Sequence, residues 1–323
     1  MKDALGRDIN YLRISVTDRC NFRCRYCMPE QGVESKSHGE ILSFEEILDF
    51  VKAVVPLGIS KIRVTGGEPL VRKGIEGFVA RLSAIPGIRD LSMTTNASLL
   101  APAARSLKQA GLDRVNISLD SLKPERFHWI TRRGKLEDVF DGMEAAIREG
   151  LTPVKVNCVV VRGFNDDEIN EFVNLTKKYP IYIRFIELMP LGDTGWGKGH
   201  FISADEIKSL IKEKLVPVEV SRGAGPARYF QIPGAPGYVG FITPISNHFC
   251  DDCNRVRLTA DGKLKPCLES DIEIDVNMSL REKRGEKEIQ RIFLEALLKK
   301  PVCHHMRAEI NSDHKRRMWQ IGG

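Results

Sequence analysis

From Leu12 to Leu188, short apolar runs with strand character alternate with stretches of helical period. Leu12–Val16, Lys61–Thr65, Leu91–Thr95, Arg114–Leu119, Val154–Val161 and Ile181–Leu188 read as strands. The helices between them carry clear punctuation. Ser43 with Glu46 three positions on forms a capping box, and Gly58 follows the last turn. Ala101 to Ala110 predicts a short helix closed by Gly111, and Asn165-Asp166 opens another that ends near Tyr179-Pro180. About six βα units in series predict an α/β fold with parallel strands and right-handed crossovers. Eight units would close a barrel, so six predict an open, partial one.

After Leu188 the pattern changes. Residues 189–200 are glycine-rich and loop-like, and Ser203 with Glu206 forms a second capping box before a helix reaching Lys214. Short strands of antiparallel type follow: Pro217–Val220, Arg228–Ile232 and Tyr238–Ile242. Asp261-Gly262 predicts a hairpin turn between Arg255–Leu258 and Lys263–Cys267. A last helix is expected over Glu286–Lys299. A soft boundary near residues 215–235 divides a barrel, 1–225, from a smaller α+β extension, 226–323.

Composition narrows the field. With 42% hydrophobic residues in 323, a sizeable core is expected and global disorder is excluded. No run of about 18 uncharged apolar residues marks a membrane span. The mixed-charge start, Met1 to Asn10, lacks the apolar stretch of a secretory leader, so the chain reads as cytoplasmic, with no membrane partner. The net charge of +6 suits an anionic substrate but makes no case for nucleic acid.

Eight cysteines without a secretion signal point to metal or catalysis rather than disulfides. Cys158 sits inside a strand and reads as a buried thiol, and Cys303 stands apart. The other six form two triplets. Cys20, Cys24 and Cys27 follow the first strand with C-x3-C-x2-C spacing. A cubane iron–sulfur cluster is normally held by four thiolates. Three would leave one iron open, as a catalytic centre requires. The alternative is zinc completed by a distant His or Cys, but zinc favours paired C-x2-C units. The second triplet is Cys250, Cys253 and Cys267. Taken alone it suits an iron–sulfur cluster and a zinc ion with His248 as fourth ligand equally.

Thr65-Gly66-Gly67-Glu68-Pro69 ends the second strand. Its glycines would let backbone approach a ligand closely, and Glu68 could accept from an ammonium group. Arg13, Lys61, Arg63, Lys155 and Arg184 lie on strands with few acids beside them. Charges do not stay buried unpaired, so these cations predict an anion in the barrel lumen. Arginine forks suit phosphate oxygens. Strand alternation would instead turn some of them outward, under the helices. Arg255 and Arg257 share one strand face directly after Cys253.

Taken together these residues resemble the GTP 3′,8-cyclase family of the radical S-adenosylmethionine (SAM) superfamily, which acts in molybdenum cofactor biosynthesis. The resemblance is carried by residues 11–27, 63–70, 94–96, 116–121, 154–157, 184–189 and 249–257, by Cys267 and by the terminal Gly322-Gly323. The first triplet specifies only the superfamily; the second, with residues 254–257 and the Gly-Gly end, narrows it.

The resemblance implies a partial (βα)6 TIM-like barrel of the radical SAM type, with the C-terminal extension carrying a second iron–sulfur cluster. It implies two 4Fe–4S clusters. Cys20, Cys24 and Cys27 would hold the one that binds SAM, with Tyr26, Gly67, Glu68, Ser118 and Met189 around that cofactor. Cys250, Cys253 and Cys267 would hold the second, whose open iron faces the guanine of GTP. Arg13, Arg63, Thr94, Lys155, Arg255, Val256 and Arg257 match GTP-binding positions, and Lys61 and Arg184 would help with the triphosphate. The Gly-Gly tail would fold back into the site, although Trp319 is bulkier than the family suggests. The implied reaction is a lyase-type cyclisation. A 5′-deoxyadenosyl radical takes the C3′ hydrogen of GTP, the C3′ radical attacks C8, and the adduct radical is reduced by one electron and one proton to (8S)-3′,8-cyclo-7,8-dihydroguanosine 5′-triphosphate. No side chain is assigned as catalytic. The implied partners are an external electron donor and a downstream cyclic pyranopterin monophosphate synthase, with the chain a monomer or homodimer. Two rivals are a peptide-modifying radical enzyme, which would carry more C-terminal cysteines, and an electron carrier or zinc-binding module with no nucleotide site.

Overall fold

The computed structural model describes all residues except 34–36, 38, 191–195, 197, 221–224, 307–315 and 323. Strand alternation sets the architecture. In β1 (Tyr11–Ser15), β2 (Lys61–Thr65), β3 (Asp90–Thr95), β4 (Arg114–Ser118), β5 (Lys155–Val160) and β6 (Tyr182–Glu187), every second residue is buried and, except for Thr95 and Glu187, apolar. Leu12, Ile14, Ile62, Val64, Met93, Ile117, Val156 and Ile183 belong to one core with the helices. The intervening positions are polar apart from Val159 and Ile186, and many of them line a lumen.

Helices Phe44–Val54, Ile75–Ser83, Leu100–Gln109, Leu136–Arg148 and Ile169–Lys178 follow the strands in order. The first shows why they form. Ser43 Oγ accepts from Glu46 N–H at 3.1 Å, and Glu46 returns the bond to Ser43 N–H at 2.6 Å. Ile47, Phe50, Val51 and Val54 then fall on one buried face at helical spacing. Phe50 meets Phe293 edge-on from helix Glu286–Leu298, with ring centroids 6.1 Å apart. With Ala204–Ser209 after β6, the expected six units are present.

The C-terminal segment adds β7 (Val216–Val218), β8 (Arg228–Gln231), β9 (Tyr238–Ile242), β10 (Arg255–Leu258), β11 (Lys263–Lys265) and β12 (Ile274–Asp275). All twelve strands form one sheet, in the order β12-β11-β10-β1-β2-β3-β4-β5-β6-β9-β8-β7. The Asp261-Gly262 hairpin is present, pairing Arg257 with Lys265.

Two expectations need correction. The antiparallel reading of residues 217–242 holds between β7, β8 and β9, but β9 also pairs parallel to β6. Gly237 makes this seat possible, because a Cβ there would lie 2.5 Å from Ile181 O. β10 likewise pairs parallel to β1, so the parallel run extends beyond the six predicted strands and continues across residue 225. The helix after Ser203 spans Ala204–Ser209 and stops short of Lys214. Asn170 diverts it, donating to Leu210 O and accepting from Lys212 N–H, both at 2.9 Å.

Arg7 ties the N-terminus to the second cysteine segment. It pairs with Asp3 at 2.6 Å and donates to the carbonyls of Cys250, Pro301 and Val302.

Candidate active site

Cys20, Cys24 and Cys27 open on a cavity of about 350 Å³ at the C-terminal ends of the parallel strands. The Cys24 carbonyl accepts from Cys27 and Met28 N–H, each at 2.9 Å, and this tight turn gathers the thiols. Phe22 N–H donates to Cys20 Sγ at 3.3 Å, and the Asn96 amide lies 3.9 Å from the same sulfur. The Gly66-Gly67 loop packs directly on this segment. Gly67 and Glu68 N–H donate to Thr17 O and Arg19 O at 2.7 and 2.8 Å. A Cβ on Gly67 would lie 2.2 Å from Arg19 O, so these glycines serve backbone against backbone as well as lining the cavity.

Glu68 is 1% exposed and accepts from Thr95 Oγ1 and Asn96 N–H at 2.7 Å and from Leu70 N–H at 3.1 Å. Burial nonetheless holds its carboxyl up to about 7. Tyr26 donates to Asp120 Oδ2 at 2.6 Å, and Val159 N–H donates to Asp120 Oδ1 at 2.9 Å. Ser118 and Met189 also line this part of the cavity.

Cations outnumber acids in the lumen wall, where Asp90 pairs with Arg114 at 2.6 Å. Arg257, Arg13 and Arg63 occupy one register row on β10, β1 and β2, strands about 4.8 Å apart. Arg255, Tyr11 and Lys61 form the row beneath. Like charges side by side on a sheet are destabilising. Burial, with repulsion from Arg184 and Arg114, pulls Arg63 down to about 10, and burial with Arg255 does the same to Arg257. Arg13 is lowered by burial and by Arg257 and Arg63. An anion in the lumen would relieve all three. Thr94 Oγ1, also in the wall, is buried with no hydrogen-bond partner among the described residues.

Cys250, Cys253 and Cys267 line the same cavity. Burial works to raise the Cys253 thiol, yet Arg255 and Lys300 bring it down to about 7. In the first triplet burial prevails, pushing Cys20 up to about 11 and Cys27, with Cys20 beside it, up to about 12. Thiolates in such a place need a metal. Neither triplet converges as a single ion requires. Among the described residues only His248, Cys250 and His304 bring three donor atoms within 4.8 Å of one another. Zinc, with Zn–S bonds of about 2.3 Å, demands that closeness, whereas a cubane spreads its thiolates over separate irons. Both triplets therefore fit a cluster.

The C-terminus enters the site. Arg257 donates to Gly322 O at 2.8 Å, and the Trp319 backbone N–H is directed at Cys27 Sγ. Gly322 has φ +81°, and a Cβ there would lie 2.4 Å from Thr65 Oγ1. Trp319 is accommodated in the cavity wall. Gly323 lies outside the described residues.

Of the anticipated substrate residues, Arg13, Arg63, Thr94, Arg184, Arg255 and Arg257 line the cavity, whereas Lys61, Lys155 and Val256 do not. Val256 points into the core. Lys155 lies one row below Asn157, with Nζ 5.5 Å from the Tyr182 ring, and burial with Arg184 pushes it down to about 6. Asn96, Asp120 and His304 line the cavity without having been singled out. Asn96 and Asp120 were legible only as polar residues just beyond a strand end.

A parallel sheet carrying a three-cysteine loop after its first strand defines a class, and the comparisons agree. Residues 14–176 match the Radical SAM superfamily model, and residues 181–306 match that of Molybdenum Cofactor Synthesis C. The crystal structure of Streptococcus suis SuiB bound to S-adenosylmethionine is similar in fold, with TM-score 0.59 and 12% identity over 91% of this chain and 67% of that one. The protein has the radical SAM fold. GTP 3′,8-cyclases of Alkaliphilus oremlandii and Moorella thermoacetica are 53% and 52% identical to it over the full length of both chains. The chain belongs to the GTP 3′,8-cyclase family.

Proposed function

We propose that the chain joins C3′ of the GTP ribose to C8 of its own guanine, giving (8S)-3′,8-cyclo-7,8-dihydroguanosine 5′-triphosphate. This is the first step of molybdenum cofactor biosynthesis and makes the protein a radical SAM lyase. One observation carries the reading: the Arg257–Arg13–Arg63 row faces the cavity that both cysteine triplets line.

Cys20, Cys24 and Cys27 would hold the SAM-binding 4Fe–4S cluster, and Cys250, Cys253 and Cys267 the second. When bound, the first cluster and SAM supply the 5′-deoxyadenosyl radical that removes the C3′ hydrogen. The Glu68 carboxylate would accept from the SAM ammonium, and Tyr26, Gly67, Ser118 and Met189 would hold the rest of that cofactor. Arg13, Arg63, Arg255, Arg257, Thr94 and Arg184 hold GTP, the arginines by charge-assisted bonds to phosphate. Lys61 acts through its field from the row below. Lys155, pushed down to about 6 by burial and Arg184, would regain its proton when phosphate binds above it, and Val256 contributes through its backbone. Residues 226–323 contribute the guanine side of the site and 1–225 the SAM side. Trp319 and Met306 help to keep water from a radical that would otherwise be quenched.

Among the described residues no helix is long and apolar enough to cross a membrane, which supports a cytoplasmic enzyme. It takes electrons from an external donor, works as a monomer or homodimer, and passes its product to cyclic pyranopterin monophosphate synthase. The test is anaerobic incubation with SAM, GTP and a reductant. Mass analysis should find 5′-deoxyadenosine and an isomer of GTP in step. Deoxyadenosine without the isomer would overturn the substrate assignment.

A further inference from the structure

Lys300 follows helix Glu286–Leu298 and is 7% exposed. Its ammonium donates to Pro266 O at 2.7 Å, to Arg255 O at 2.8 Å and to Cys253 Sγ at 3.5 Å. These contacts use its three donors. They also bracket the second triplet, since Arg255 opens β10 two residues after Cys253 and Pro266 immediately precedes Cys267.

The charge balance is unusual. Among the described residues no carboxylate lies within ion-pair distance of Lys300, and the side-chain atom its ammonium meets there is Cys253 Sγ. Carbonyl oxygens solvate an ammonium but do not neutralise it, and a buried charge without a counter-charge is unfavourable. Lys300 does not line the cavity, so it is not placed to meet a phosphate. It approaches the triplet from behind, through protein.

We propose that Lys300 is the built-in counter-ion of the second cluster, donating to the Cys253 thiolate and setting the cluster's reduction potential. Three thiolates on a cubane leave it anionic, and reduction adds one more negative charge. A fixed cation in contact with a ligand sulfur favours the reduced form, because net charge and hydrogen bonds to sulfur set such potentials. Lys300 is thus a positioning residue that acts through Cys253. The inference rests on the two-cluster reading above. The competing role is a strut that merely joins two carbonyls.

The two roles separate in an anaerobic redox titration of the reconstituted full-length enzyme followed by electron paramagnetic resonance. The SAM-responsive cluster serves as internal reference. Lys300→Gln keeps N–H donors for the carbonyls but drops the charge; Lys300→Arg keeps the charge. The Gln variant should shift the midpoint of the GTP-responsive cluster to lower potential, or lose that cluster's iron alone, while the SAM-responsive midpoint stays in place. The Arg variant should stay closer to wild type. A Gln variant with the wild-type midpoint would overturn the proposal, as would equal damage to both clusters or an Arg variant as impaired as the Gln one. Wild-type protein with a single cluster would instead sink the two-cluster reading, a result visible before any substitution is made.

Discussion

Glu68 combines three hydrogen-bond donors with a carboxyl held up to about 7 by burial. A carboxyl raised in the folded state stabilises the metal-free protein most below the ordinary glutamate value of 4.5, and that contribution is lost as pH rises through about 7. An ammonium beside it would reverse the preference. Glu68→Gln should therefore flatten the Tm–pH profile of the apo-protein between those values. It should also weaken SAM binding about tenfold to a hundredfold, since a charge-assisted hydrogen bond contributes roughly 1.5–3 kcal/mol. Unchanged SAM affinity would remove Glu68 from the cofactor site. Cys24→Ala should abolish SAM cleavage and the iron of the first cluster, as metal analysis and deoxyadenosine yield would show. Arg255→Ala should lower GTP use by about the same tenfold to hundredfold; unaltered kinetics would mean that its charge serves Cys253 rather than substrate.

At the scale of elements, the Gly66-Gly67 loop and the cysteine loop hold each other through backbone. Gly67→Ala should push them apart and release the first cluster's iron, with far-UV circular dichroism unchanged; retained iron would show that the loops give way. Gly322→Ala should drive the tail off Arg257 and Thr65 and reduce turnover at least tenfold, measured against SAM cleavage without GTP. Much of this level was legible. The six strands were marked by alternation, and the Ser43 and Ser203 capping boxes formed as read. What was not legible depends on distant partners. Nothing within Tyr238–Ile242 says that β6 will lie beside it in parallel, and nothing in the helix after Ser203 announces Asn170. The lumen cations show the same limit. Alternation put Lys155 on the lumen face, but depth decided its role. A strand rises about 3.3 Å per residue, so Lys155 sits two residues below Asn157, under the cavity floor.

For the molecule as a whole, one open sheet brings two cysteine triplets, an arginine row and the chain's own C-terminus to a single cavity. Burial and mutual repulsion lower the arginines of this row, so bound GTP should stabilise the cluster-loaded protein. At a hundred times its Kd a ligand contributes about 2.7 kcal/mol. Among the described residues neither triplet brings its three donor atoms within 4.8 Å of one another, and three thiolates would leave a cubane short of one ligand. Electron paramagnetic resonance of the anaerobically reduced protein, titrated with each ligand separately, probes this most directly. SAM should perturb the signal of one cluster and GTP that of the other. Bound zinc without inorganic sulfide, or two signals that neither ligand moves, would contradict it.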